Sequence, residues 1–445
     1  MASPDMLAAT VLADVALILI AGSALGSVAR RVGQPRVVGE IAAGIALGPS
    51  LLGLLPGHLS ARLFPADARP FLNAFAQLGL ALFMFTIGWE FDLKMLRRPG
   101  TRATAALVSL GSVGVAFGSG VALATVLYPE HSTVHGHHIG FPPFALFLGA
   151  AMSITAFPVL ARVLRERGRV GSRVGTLALA SAAVDDILAW CSLALVAALA
   201  GARDPWQFAR IAAWTAGYVA VMALAVRPTL RLLVCRTVAE RAQYQLFVLL
   251  AAGIFLSCYA TTWIGIHAIF GAFAFGMAMP RKPDTDLDEQ LQKPLELTGS
   301  LLLPVFFIVT GLGVDVTKLS GRGVLELLAV VAIAVAGKLF GTAAAARALR
   351  LPWRQTAELG LLMNMRGLTE LIILNAGVTL GVLDTSIFTA MVLMALTTTA
   401  MASPLLKRFR LESPLEAGAA AGTEAGTEIA AEAGADQPRA AAYAH

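Results

Sequence analysis

Asp185 and Asp186 stand side by side in the middle of the apolar run SAAVDDILAW. A buried carboxylate without a partner is costly, so a chain that keeps two of them there has reason to hold a proton or a cation on at least one. Three more charges lie in comparable places. Lys338 is deep in VVAIAVAGKLFGTAAAA, and Arg366 and Glu370 share GLLMNMRGLTELIILNAG. The last two are four residues apart and fall on one face if that stretch is helical. Three acids against two bases leave one carboxylate with no fixed partner. Neighbours on a helix point about 100° apart, so Asp185 and Asp186 cannot face the same group. One can pair with Lys338 while the other faces a water-filled cavity. A proton and a monovalent cation then compete for that carboxylate, because either one neutralises it. The alternative is a structural network of all five charges, and Arg366–Glu370 is the pair that most readily takes a structural role alone.

Helix breakers lie beside these charges. Pro158 interrupts AMSITAFPVLARVL, and Gly367 follows Arg366. An interrupted membrane helix exposes carbonyls and half-helix ends, which are tolerated only where protein or a cavity covers them. Thr155, beside the first break, offers a hydroxyl ligand. Pro158 by itself also fits an ordinary kink, but two breaks seven spans apart match an inverted repeat.

The elements that must position these residues are membrane helices. Hydrophobic residues make up 57% of the chain and charged residues 14%, and mean hydropathy is +0.74, whereas soluble domains carry nearer a quarter charged. Apolar stretches long enough to span occur near 7–29, 36–54, 71–91, 103–127, 141–161, 174–200, 207–226, 242–260, 263–280, 296–313, 323–346, 355–379 and 385–406. This predicts an all-α polytopic membrane protein with about 13 transmembrane helices. Basic residues cluster in alternate loops: Arg30, Arg31 and Arg36; Lys94, Arg97, Arg98 and Arg102; Arg162 to Arg173; 227–241; 281–293; 347–354; and Lys407 to Arg410. By the positive-inside rule the N-terminus is outside and the C-terminus cytoplasmic, which agrees with an odd number of spans. These loops also account for the net charge of +6, so no nucleic-acid partner is implied.

Other residues have plainer readings. Cys191, Cys235 and Cys258 lack CxxC spacing and read as packing residues. Glu40 and Glu90 lie near cytoplasmic span ends and read as structural. His267 reads as a satisfied interior histidine, and HSTVHGHH at 131–138 reads as a solvated loop without fixed metal-ligand spacing. The first span is read as retained. The Ala/Gly/Glu-rich tail 412–445 is expected to be disordered and cytoplasmic, with no soluble regulatory domain after it. No cofactor is called for, and no metal beyond a transported monovalent cation.

Seven stretches in order carry a family resemblance: QPRVVGEIAAGIALGPSLLG (34–53), LGLALFMFTIGWEFDLKML (78–96), SITAFPVLARVLRERG (153–168), LALASAAVDDILAW (177–190), GIHAIFGAFAFGMAMPR (265–281), LLLPVFFIVTGLGVD (301–315) and MNMRGLTELIILNAG (363–377). The chain resembles the monovalent cation:proton antiporters, the branch of bacterial sodium or potassium/proton antiporters and plant cation/proton exchangers. The resemblance implies an inverted-repeat antiporter fold with broken crossing helices in an exchanger domain, 1–411. Within it, a dimer-forming part holds spans 1–3 and 8–10 (about 7–91 and 242–313). A mobile core holds spans 4–6 and 11–13 (about 103–200 and 323–406), and 207–226 links the two. It further implies elevator-type alternating access in the cell membrane, a homodimer, Asp186 as carrier and Asp185 as partner of Lys338. The Arg366–Glu370 stretch is closer to exchangers thought to handle potassium, and Asp-Asp with Lys338 to the sodium type. Na+ and K+ therefore both stay open.

An intramembrane protease would place its carboxylates on facing helices, and no HExxH, GxSxG or Walker motif is present. The reading is thus a secondary transporter and not an enzyme. A cation channel or an organic-ion carrier of the same fold is the nearest alternative.

Overall fold

The computed structural model describes residues 4–56, 59–90, 101–134, 136–166, 169, 172–201, 205–240, 243–280 and 291–408. Helices follow the apolar runs. In chain order they are α1 (Pro4–Arg31), α2 (Arg36–Leu47), the short α3 (Leu59–Leu63), α4 (Arg69–Glu90), α5 (Thr101–His131), α6 (Phe141–Ser153), α7 (Phe157–Glu166), α8 (Arg173–Gly201) and α9 (Pro205–Val221). Then come α10 (Arg227–Glu240), α11 (Gln243–Ile264), α12 (Ala268–Ala278), α13 (Lys293–Leu312), α14 (Gly321–Ala348), α15 (Trp353–Met363), α16 (Leu368–Thr379) and α17 (Thr385–Arg408). Among the described residues ten helices are long and apolar enough to cross a membrane. The apolar stretches 141–161, 263–280 and 355–379 instead hold shorter helices, because each is interrupted.

Helix ends form where local chemistry allows. Ser320 caps α14 by accepting from the Gly323 amide at 3.2 Å, and His267 Nδ1 accepts from Ile269 N at the start of α12. That contact is the satisfied role expected of His267. The segment 227–241, read as a basic loop, is instead largely helical. A single π turn, Met222–Val226, joins α9 to α10, so the helix continues past the end of its apolar stretch.

Two sets of helices pack mainly among themselves. In one, α13 lies against α1, α2 and α4, α12 lies against α4, and α11 lies against α12. In the other, α5 lies against α6, α8 and α14, and α14 lies against α15 and α17. The first set is built on close backbone approach. A Cβ on Gly276 would stand 2.1 Å from the Phe85 carbonyl, and one on Gly88 would stand 2.2 Å from that of Phe273. Only glycine lets α4 and α12 meet at this distance.

The 131–138 stretch is not the uniformly solvated loop expected. His137 and His138 are exposed in a two-residue hairpin with Thr133 and Val134, but His131 is buried. Its ring lies 2.5 Å from Asp384 and 3.3 Å from Glu326. The reason is tertiary: the end of α5 reaches α14 and the turn before α17, where Asp384 also accepts from the Ile387 amide. Burial alone would raise the Asp384 carboxyl. The His131 hydrogen bond and the Ile387 amide outweigh it and hold the group below its ordinary value. The expected tail, 412–445, lies outside the described residues, as do Lys94, Arg97, Arg98, Arg167, Arg281, Lys282 and Arg410 of the basic clusters.

Candidate functional site

Two broken helices cross at the centre of the second set. The first break, Ile154–Ala156, separates α6 from α7. It lies just ahead of Pro158, which takes a position in the first turn of α7. A proline disfavours helical backbone in the residue before it yet starts a helix well, so the interruption falls upstream of the proline and Thr155 lies within it. The second break, Asn364–Gly367, separates α15 from α16. Arg366 therefore stands on non-helical chain and not on a helical face shared with Glu370, as periodicity suggested. The two side chains still meet, Nη1 to Oε1 at 3.1 Å.

The breaks satisfy one another's backbone. Ala156 N donates to Met365 O at 3.0 Å, and the Thr155 hydroxyl lies 2.8 Å from Met363 O. The Arg366 guanidinium donates to Ala151 O at 2.8 Å and to Met152 O at 2.6 Å. It places a cation on the open carbonyls that end α6. Thr399 on α17 donates to the Arg366 carbonyl at 2.6 Å. A Cβ on Gly367 would stand 2.5 Å from a Val159 methyl, so the crossing leaves no room there for a side chain.

Beside the crossing, α8 presents Asp185 and Asp186, α14 presents Lys338, and α5 presents Ser109 and Ser112. Lys338 and Asp185 are 0% and 1% exposed. Lys338 Nζ lies 3.0 Å from Asp185 Oδ2, 2.8 Å from Thr155 Oγ1 and 3.1 Å from Ser112 Oγ. Three acceptors match the three protons of an ammonium. Asp185 also accepts from Ser109 at 2.6 Å and lies 2.7 Å from the Thr155 hydroxyl. Such a pair is tolerated inside a bilayer because both charges are fully bonded.

Asp186 has a different environment. It is buried, and its polar neighbours are the Thr369 side chain and the Phe157 backbone. These groups open α16 and α7, so the carboxylate lies at the positive ends of two half-helices. Its Oδ1 has no hydrogen-bond partner, nor has the buried Asn364 Oδ1 in the second break. Among the described residues, ion pairs join Lys338 to Asp185 and Arg366 to Glu370, and none joins a basic side chain to Asp186.

A transmembrane sodium/hydrogen exchanger family matches residues 15–409 of the chain. The chain belongs to that family. It is 40% identical over 398 residues to the Na(+)/H(+) antiporter NhaS4 of Synechocystis, covering 89% of this chain and 96% of the relative. It is 38% identical over 403 residues to cation/H(+) antiporter 20 of Arabidopsis thaliana, covering 87% of this chain and 47% of that protein. The chain thus spans about half the length of this plant relative. Its fold is similar to that of the sodium proton antiporter MjNhaP1 from Methanocaldococcus jannaschii, with a TM-score of 0.60 at 15% identity over 90% of this chain and 96% of the other. The all-α antiporter fold with broken crossing helices is thereby established for this family member, and with it a multi-pass membrane protein. These relatives are secondary transporters by name, not enzymes.

The crossing also holds polar groups that sequence reasoning missed. Ser109 and Ser112 are spaced by three in an apolar span, which is a signal visible in the sequence. Thr369, inside the motif around Arg366, and the Phe157 amide gain meaning only from the crossing. Asp14, buried in α1 with an unpartnered Oδ2, was missed as well. Glu40 is buried and lies 2.7 Å from Arg36, in keeping with a structural role. Cys191 is exposed and Cys258 partly buried, both as free thiols. The side chains of Pro158, Glu90 and Cys235 lie outside the described residues.

Proposed function

We propose that the chain is a secondary active antiporter that exchanges Na+ or K+ for H+ at Asp186. The supporting observation is a buried carboxylate with a free oxygen and, among the described residues, no ion pair to a basic side chain, set at two half-helix N-termini beside a fully bonded Lys338–Asp185 pair. A bare anion there is costly even at positive helix ends, so it takes up a proton or a small cation and cannot hold both. Asp185, Thr155 and Lys338 hold the neighbouring charges and backbone in place. Arg366 and Glu370 fix the second break.

In this reading the ion crosses by an elevator movement of a core, spans 4–6 and 11–13, against a dimer-forming part, spans 1–3 and 8–10. The helix containing 207–226 links the two. Thirteen spans put the N-terminus outside and the C-terminus in the cytoplasm of a cell-membrane homodimer. Each charge left unbalanced in a cycle would couple transport to about 2.3 kcal/mol per 100 mV.

The test is a pH-sensitive dye in proteoliposomes with an imposed proton gradient, to which Na+, K+ and Li+ are added in turn. Cation-dependent dequenching is expected, and the active ion names the substrate. Cation flux without proton counterflow would replace antiport with a channel. No response from folded protein to any of the three would turn the search to organic ions.

A further inference from the structure

A cavity of about 280 Å³ lies where the two helix sets meet, lined by α4, α13, α16, α17 and the turns beside them. Its polar lining includes Asn73, Thr310, Asn375 and Thr385. Among the described residues hydrogen bonds join the two sets from Gln34 Nε2 to Ala400 O at 3.2 Å, from Asp315 N to Thr389 Oγ1 at 3.3 Å, and at this cavity, where the bond reaches α16. Asn375 Nδ2 on α16 donates to Thr310 Oγ1 on α13 at 2.9 Å. The main packing partners of α13 are α1, α2 and α4, whereas α16 packs on α6, α7 and α17. The bond therefore joins helices that otherwise belong to different bodies.

Both ends of the bond are held in place. Asn375 Nδ2 also donates to Leu371 O in its own helix at 2.9 Å. The Thr310 hydroxyl spends its proton on Phe306 O at 2.7 Å, so it is left as an acceptor toward Asn375. Thr310 is 2% exposed. Asn375 lies six residues beyond Thr369, about 9 Å along α16 from the end that faces Asp186. Any sliding of α16 along α13 must break this bond.

We propose that Asn375 is a positioning residue whose bond to Thr310 latches the core in this arrangement and limits the rate at which it leaves. This rests on the moving-core reading above. Without the latch the resting arrangement is less stable, and departure from it is faster. The cation site itself is untouched, because neither side chain reaches Asp186.

The test measures cation-driven proton movement by the full chain in proteoliposomes, with Na+ and K+ as probes, for Thr310→Val, Asn375→Leu, their double variant and Thr310→Ser. Elution as a single folded species is checked for each. Loss of one such bond is expected to raise turnover at saturating cation about three- to tenfold in either single variant. The half-saturating cation concentration stays within about twofold of wild type, the size of change that leaves binding energy essentially unaltered. The double variant should match the singles, since both remove the same bond, and Thr310→Ser should behave as wild type. Unchanged or lowered turnover overturns the latch, as do single effects that multiply in the double variant. A shift in half-saturation at constant turnover also overturns it, by moving these residues into cation binding. A wild type that moves no protons overturns the exchange reading and the latch together, whereas an active wild type with unaltered variants overturns the latch alone.

Discussion

The α4–α12 contact and the crossing of α6–α7 with α15–α16 solve burial in opposite ways. At the first, Gly88 and Gly276 bring two backbones within touching distance and apolar side chains fill the rest. At the second, chain that is not helical at all is buried, and Arg366, Thr155, Thr399 and the opposite break bond several of its backbone groups, while Asn364 Oδ1 is left without a partner. The second keeps two carboxylate oxygens without a hydrogen-bond partner, Asp186 Oδ1 and Glu370 Oε2, and of these two acids only Glu370 is paired with an arginine among the described residues. Damage to the first should cost stability and damage to the second should cost transport.

The largest expected effect is on transport alone. Asp186→Asn keeps the shape of the side chain and removes its charge, so cation-dependent proton movement should fall to background while the thermal melt stays close to wild type. Retained exchange in this variant would move the site elsewhere. Next is Lys338→Ala, which leaves Asp185 buried without its cation and should destabilise the protein by about 3–5 kcal/mol. Adding Asp185→Asn should recover most of that loss, read as the melting temperature in one detergent. An additive double variant would break the assignment of the pair.

On the packing side, Gly276→Ala forces a methyl against the Phe85 carbonyl. It should cost about 1–3 kcal/mol and leave transport per folded molecule unchanged. A variant that melts normally but transports poorly would blur the contrast between the two regions. The smallest effect is expected at the contact of His131 with Asp384, where His131→Ala should cost about 1–2 kcal/mol by leaving Asp384 without its bond. Asp384 is held below its ordinary value in the folded state. Its contribution is therefore full above the unfolded carboxylate pKa of about 3.9 and is lost as pH falls through the lower folded value. The difference in melting temperature between wild type and His131→Ala should shrink in that acid range.

The candidate site was legible where charge interrupted an apolar run. Asp185, Asp186, Lys338, Arg366 and Glu370 stand out because water-loving groups at bilayer depth have few bland explanations. Ser109, Ser112 and Thr369 were less visible, since a hydroxyl on a membrane helix can bond its own backbone and so appears in many roles. The break in the fifth span was read at Pro158 and lies just ahead of it. A proline acts on the residue before it and itself begins the next helix well. His131 was read as part of a solvated loop because its acidic partners, Glu326 and Asp384, lie 195 and 253 residues away in the chain.

Hydrophobic run length and the charges that interrupt the apolar runs were enough to determine an all-α membrane protein and to single out the five charges Asp185, Asp186, Lys338, Arg366 and Glu370, with acids in excess, though the count passed over Asp14. Run length is a sum along the chain, and transfer free energy depends on such sums. Which aspartate meets Lys338, which breaks cap each other, and that Asn375 reaches Thr310 were decided only by the tertiary structure. A hydrogen bond or ion pair forms within about 3 Å, and which groups come that close depends on how distant helices pack.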